Sequence, residues 1–146
     1  MLKSLSLAVL AAACLAGPAL AGPALIGDVT VTLTGVEARG GALLAVLQTR
    51  AQFLQPAGAY GDIVRDPHAG TVRVTFRNVT PGDYSFSALH DADGDGQMKM
   101  DGAMPAEGWG MVNGESLRAA PTWDQVKFTV PASGDVALTV PMAYPR

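Results

Sequence analysis

The sequence predicts an all-β domain built from two packed sheets, and three observations predict it. Apolar residues alternate with polar ones along most of the chain. The alternating segments are short and rich in valine, threonine and phenylalanine. Turn residues separate them, as in "VTPGDY" (Val79–Tyr84), "RGG" (Arg39–Gly41) and "ASGD" (Ala132–Asp135).

Each strand follows from its pattern. "DVTVTLT" sets Val29, Val31 and Leu33 on one face and Thr30, Thr32 and Thr34 on the other. "ALLAVLQ" (Ala42–Gln48) is apolar on both faces and reads as a central strand. "TVRVTFR" turns Val72, Val74 and Phe76 inward. "DYSFSALH" does the same with Tyr84, Phe86 and Ala88, leaving Ser85 and Ser87 outward. "DQVKFTV" is expected to bury Val126, Phe128 and Val130, and "GDVALTV" to bury Val136, Leu138 and Val140. The count is six or seven strands. One apolar face per strand implies two sheets face to face, an antiparallel sandwich of immunoglobulin-like or transthyretin-like type.

Two segments break the alternation. Residues 49–70 hold one expected helical turn at Thr49–Leu54, ended by Pro56. Residues 96–122 form a long loop containing Trp109, Met98, Met100, Met104 and Met111. Disordered segments are poor in such residues, so the loop is expected to be ordered across one end of the domain.

The first 21 residues stand apart. Lys3 precedes an apolar run from Leu5 to Leu15, and Ala19 and Ala21 stand where a signal peptidase requires small residues. The run is shorter than the ~20 residues of a spanning helix. The expected organisation is a signal peptide over 1–21 and one domain over 22–146, placed in the periplasm or outside the cell. "AAAC" at Ala11–Cys14 faintly resembles a lipoprotein processing box, but Ala11 stands where a large residue is usual, and soluble export is favoured. Cys14 is the only cysteine, so the mature domain has no disulfide and no thiol chemistry. Removal of Lys3 leaves nine basic residues against thirteen acidic ones, a net charge of −4. That excludes nucleic acid as a natural partner. No further apolar stretch reaches membrane length, so the partner is expected to be a protein or small molecule.

The chemistry concentrates in "HDADGDGQMKMDG" (His90–Gly102). Four of the thirteen acidic residues fall within its eleven positions 91–101. Asp91, Asp93, Asp95 and Gly96 make D-x-D-x-D-G. Alternate side chains on a curved loop converge, and glycine permits the sharp turn, which is how calcium loops collect oxygens. The expected ligands of Ca²⁺ are Asp91, Asp93, Asp95 and Asp101. The loop is not an EF-hand, because position twelve is Gly102 and the flanks are not helices. A solvated acidic turn is the plain alternative. His90 reads as a strand-end histidine bonded to a loop carbonyl more readily than as a metal ligand. Two other readings stay open: copper held by His90 and the loop methionines, and a hydrolase using carboxylates such as Asp101 and Glu107. Hydroxyl nucleophiles lack a supporting motif, and a non-catalytic module is the primary expectation.

"NVTPGDYSFSALHDADGDGQMKMDG", "PAEGWGMVNG" and "PTWDQVKFTV" together resemble the exported bacterial domain-of-unknown-function family 2141. The resemblance runs from Asp28 to Val140. It implies a β-sandwich and export, and it marks His90–Gly96 and Gly108–Asn113 as signature segments. This chain carries Trp109 and Trp123 where tyrosine and phenylalanine are frequent in that family. Its three-aspartate loop is also more acidic than the asparagine-containing versions.

Overall fold

The computed structural model describes residues 26–146; the expected signal peptide, its Cys14 and residues 22–25 lie outside the described residues. The described chain is mostly β, in two main sheets and one small hairpin. β1 (Gly27–Val36) is central in the first sheet, between β4 (Gly70–Val79) and β10 (Val136–Pro141). Its alternation is realised as written: Val29, Val31 and Leu33 are buried, and Thr30, Thr32 and Thr34 are half-buried on the other face.

The second sheet runs β3 (Tyr60–Arg65), β2 (Ala42–Gln48), β5 (Gly82–Asp91), β8 (Gly108–Met111). β9 (Lys127–Val130) joins the same edge of β5 that β8 uses. β9 pairs with Gly82–Ser85 and β8 with Ser87–His90, end to end. β6 (Met100–Asp101) and β7 (Met104–Pro105) form the small hairpin.

One core joins the two sheets. Val31, Leu33, Val74 and Phe76 of the first belong to the same buried cluster as Leu43, Leu47, Phe86 and Ala88 of the second. The Phe76 and Phe86 rings meet edge to face at 6.2 Å. Each of the buried Val, Leu and Phe side chains contributes ~1.5–3 kcal/mol by leaving water. These contacts bring strands far apart in sequence together, as an all-β fold requires.

Several expectations change. β10 runs parallel to β1, so the first sheet is not wholly antiparallel. A parallel pair needs a crossover; here the whole chain between the two strands supplies it. β3 and β8 were not expected, and both break the alternation rule for a visible reason. β3 is an edge strand whose Asp62 and Arg65 face water, and β8 carries two glycines. The segment "DQVKFTV" is not all strand: Trp123–Val126 is a helical turn, α1. Thr122 caps it, giving its N–H and hydroxyl to Gln125 Oε1 at 3.0 and 2.8 Å. That is a T-x-x-Q capping box, and it outcompetes strand propensity locally. The expected turn near Thr49 is present as Arg50–Gln52, with the same box between Thr49 and Gln52. Ser85, expected in water, is buried because α1 and the Arg50–Gln52 turn both lie against β5. Among the described residues, no helix is long and apolar enough to cross a membrane.

Candidate functional site

The site lies where β5 ends. Successive strand residues point to opposite faces, so His90 and Asp91 serve different surroundings. His90 points inward and is 1% exposed. Its Nε2 donates to Gly40 O at 2.8 Å, since a carbonyl only accepts. In the neutral ring, Nδ1 then accepts from the Tyr144 hydroxyl at 2.7 Å. Burial pushes the Tyr144 hydroxyl above its ordinary range; the Glu37 carboxylate adds to the rise, while the Glu37 N–H and Arg39 oppose it. The expected bond of His90 to a loop carbonyl is present, and both ring nitrogens are occupied by it and by Tyr144. Met98, Met100 and Met104 are exposed, whereas Met111 is buried on β8.

Asp91 points outward into the loop and is buried. Its Oδ1 accepts the N–H of Gly94 at 2.8 Å and of Asp95 at 3.1 Å; its Oδ2 accepts that of Gly96 at 3.0 Å. One carboxylate thus folds the D-G-D-G turn around itself. Gly94 (φ 79) and Gly96 (φ 73) take the left-handed conformations that this tight turn uses. Glu107 fastens the loop from outside. Its Oε1 accepts Ala92 N–H and its Oε2 accepts Lys99 N–H, both at 3.2 Å, so it bridges the two ends of the loop.

These residues form a cluster. Asp91, Asp95 and Glu107 each offer a carboxylate oxygen within 4.8 Å of the others. Asp93 turns elsewhere, onto the Lys99 ammonium. That hydrogen bond, joined by the Asp95 N–H, holds the Asp93 carboxyl below the ordinary carboxylate range, and Asp93 in turn raises Lys99. Asp101 sits exposed on β6 and is not part of the cluster. Of the four aspartates singled out in the sequence, the fold therefore brings together Asp91 and Asp95.

Glu107 is the cluster member that the D-x-D-x-D-G pattern does not contain, twelve residues past Asp95. The signal for it is "MDGAMP": a D-G pair between short apolar runs is a hairpin turn. The β6–β7 hairpin returns the chain, and Ala106 N–H donates to Lys99 O at 2.8 Å, which sets Glu107 beside the loop.

Lone pairs remain for a cation. A carboxylate has about four lone-pair sites. Asp91 uses three of its own on backbone donors, Glu107 uses two, and Asp95 uses one on Gln97 N–H at 2.8 Å. The arrangement is closed to bulky substrate at Asp91 and Glu107, which are buried, and open at Asp95, which is exposed.

The second signature segment lies against the first: Gly108 of β8 stands opposite His90 of β5, and Trp109 opposite Leu89. Asn113 Nδ2 then donates to Gln125 O at 2.9 Å, tying this segment to α1. No curated protein and no solved structure matches the chain. A family model does match, over residues 31–138, and that span takes in the second sheet, the acidic loop and Gly108–Asn113. The chain belongs to the bacterial family described as "Uncharacterized protein conserved in bacteria (DUF2141)".

Proposed function

We propose that the chain is an exported, non-catalytic binding module whose acidic loop is stabilised by one Ca²⁺. The observation that carries the reading is the convergence of Asp91, Asp95 and Glu107 within 4.8 Å at the mouth of a loop. Three carboxylates so close repel one another, and a cation turns that repulsion into attraction. Calcium accepts six to eight oxygens in flexible geometry, whereas Mg²⁺ demands a near-ideal octahedron. An irregular set of carboxylates, completed by backbone carbonyls, water and Asp93 once it leaves Lys99, suits calcium better. The ion would fix the loop, and with it the position of Glu107 next to β8.

The finer fold reading is an immunoglobulin-like or transthyretin-like sandwich. It is supported by the shared core of the two sheets and by the Tyr84 hydroxyl, which donates to Thr80 O four residues upstream at 3.0 Å. Such a backward bond resembles the tyrosine corner of immunoglobulin-type sandwiches. Export rests on residues 1–21, which read as a signal peptide and put the domain in the periplasm or outside the cell.

Thermal melts of the purified protein in chelator, Ca²⁺, Mg²⁺ and Cu(I) test the calcium reading. A ligand at one hundred times its Kd adds about 2.7 kcal/mol of stability. Calcium is expected to raise the melting midpoint by several degrees, and Asp95→Asn to abolish the rise. Superimposable melts in chelator and calcium would leave the loop as a turn held by Asp91 and Glu107 alone.

A further inference from the structure

We propose that the outer face of the second sheet is a docking surface for a polypeptide segment that combines apolar side chains with lysine or arginine. Four outward residues line up in register across it. Ile63 of β3 stands opposite Leu44 of β2, Leu44 opposite Leu89 of β5, and Leu89 opposite Trp109 of β8. Cross-strand partners share one face of a sheet, so these four make a continuous apolar row. Val46 extends it in the next row along β2.

The first sheet provides an internal comparison. β1 and β2 are the central strands of their sheets, and the outward residues of both are half-buried. On β1 those positions are Thr30, Thr32 and Thr34; Thr30 stands opposite Thr75 of β4 and Thr32 opposite Arg73. That is the polar face expected of an antiparallel sheet against water. On β2 equivalent exposure carries Leu44 and Val46. Ile63, at the sheet edge, is 51% exposed. A contiguous apolar row on one solvent face, absent from the other, is the mark of a surface that something covers.

Charge selects the occupant. The lower end of the face is closed where the Phe53 and Trp123 rings meet at 5.6 Å. The upper end runs into the acidic loop. Asp91 lies two residues beyond Leu89 on β5, hence on the same face. The segment Asp91–Glu107 holds five acidic residues and one base, Lys99. Arg65, two strands across from Asp91, is the cation of that row. A partner with apolar side chains beside lysine or arginine satisfies both parts of the surface. An acidic peptide would meet the rim with like charge. The inference rests on the reading of the chain as a binding module; it uses the charge of the loop and not a bound ion.

The test titrates the full chain, in chelator, with two synthetic peptides: alternating leucine and lysine, and alternating leucine and glutamate. Binding is read by calorimetry, with sedimentation of the free protein alongside. The leucine-lysine peptide is expected to bind at least about tenfold more tightly than the leucine-glutamate one. Ile63→Thr/Leu89→Thr is expected to weaken it by at least about tenfold, as loss of apolar anchor residues does. Threonine suits solvent-facing strand positions, and a melt checks that the variant folds. Should it not fold, Asp95→Asn on the exposed loop must still weaken the leucine-lysine peptide in chelator. Equal binding of both peptides, or unchanged binding by the variants, overturns the proposal. A dimer of the wild-type chain that the double substitution dissociates also overturns it and assigns the face to a second copy. Because the titration is run without calcium, a melt indifferent to calcium removes the metal reading and leaves this one standing.

Discussion

The Tyr144 hydroxyl lies 2.7 Å from His90 Nδ1 and also accepts the Glu37 N–H at 3.1 Å. One phenol thereby connects three places: the C-terminal tail, the end of the strand that bears the acidic loop, and the connection after β1. Arg39 covers the same ring, 4.8 Å from its centre. Tyr144→Phe keeps the ring and removes the hydroxyl, leaving His90 Nδ1 and Glu37 N–H without it. The Glu37 N–H is exposed and water can replace the phenol there, but His90 is buried; an unsatisfied buried group costs ~1–3 kcal/mol, and urea unfolding is expected to report a loss in that range. The variant should also change the alkaline limb. Burial raises the folded-state value of Tyr144 above its unfolded one near 10. Its contribution is therefore complete below about pH 10 and is lost as pH climbs through the raised folded value. Tyr144→Phe is expected to remove that decline.

Glu107 bridges Ala92 and Lys99 through its two oxygens. Glu107→Gln keeps one acceptor and turns an amide NH₂ toward the other N–H. Hydrogen exchange is expected to accelerate at Ala92 or Lys99 while the core strands stay protected, with a stability loss of ~1–2 kcal/mol. Under the calcium reading the same variant also loses the calcium-dependent melt. Uniform exchange across the loop would remove Glu107 as its fastener.

The sequence makes legible whatever follows from period-two burial. Val29–Leu33, Val72–Phe76 and Tyr84–Ala88 bury the residues their alternation names, because one face of each strand meets the core. It makes legible the loop of Asp91, since D-G-D-G has few backbone options. β3 was hidden because an edge strand buries little, and β8 because Gly108 and Gly110 bring no side chain to a pattern. α1 was hidden because Trp123, Val126 and Val130 suit a strand until the Thr122–Gln125 cap is counted. The place of Glu107 beside Asp91 was hidden because the return of the β6–β7 hairpin, not spacing along the chain, sets it there.

Lys99 holds Asp93 away from the cluster of Asp91, Asp95 and Glu107. Both partners are exposed, so the pair is screened and its removal is expected to shift the melt in chelator only slightly. Its pH window follows from the two shifts. Asp93 lies below its ordinary value, so its contribution is present above about pH 4 and is lost as pH falls through the lowered folded value. Lys99 lies above its own, so its contribution is lost only at strongly alkaline pH. Lys99→Met frees the Asp93 carboxylate. Under the calcium reading this variant is expected to need less calcium for half of the melting shift. An unchanged calcium requirement would mean that Asp93 is not a ligand.

Gly108 is glycine because the Tyr144 ring occupies the space a Cβ would fill. Gly110 is crowded too, but less closely, by the Met142 sulfur at 2.9 Å and Val140 Cγ1 at 3.2 Å, both atoms of side chains that can shift. Gly108→Ala must displace a ring bonded to His90, whereas Gly110→Ala can displace a thioether. Overpacking costs typically ~1–3 kcal/mol, and Gly108→Ala is expected toward the upper end with Gly110→Ala below it. A double-mutant cycle separates the ring from the backbone as the cause. With Tyr144→Ala already made, the ring atoms nearest that Cβ are gone, and adding Gly108→Ala is expected to cost less than ~0.5 kcal/mol. Groups in contact depart from additivity by ~0.5–3 kcal/mol, so the coupling is measurable by urea unfolding of the four proteins. A cost for Gly108→Ala that is the same with and without the Tyr144 ring would separate the glycine from the Tyr144–His90 contact and leave its cause in the β8 backbone itself.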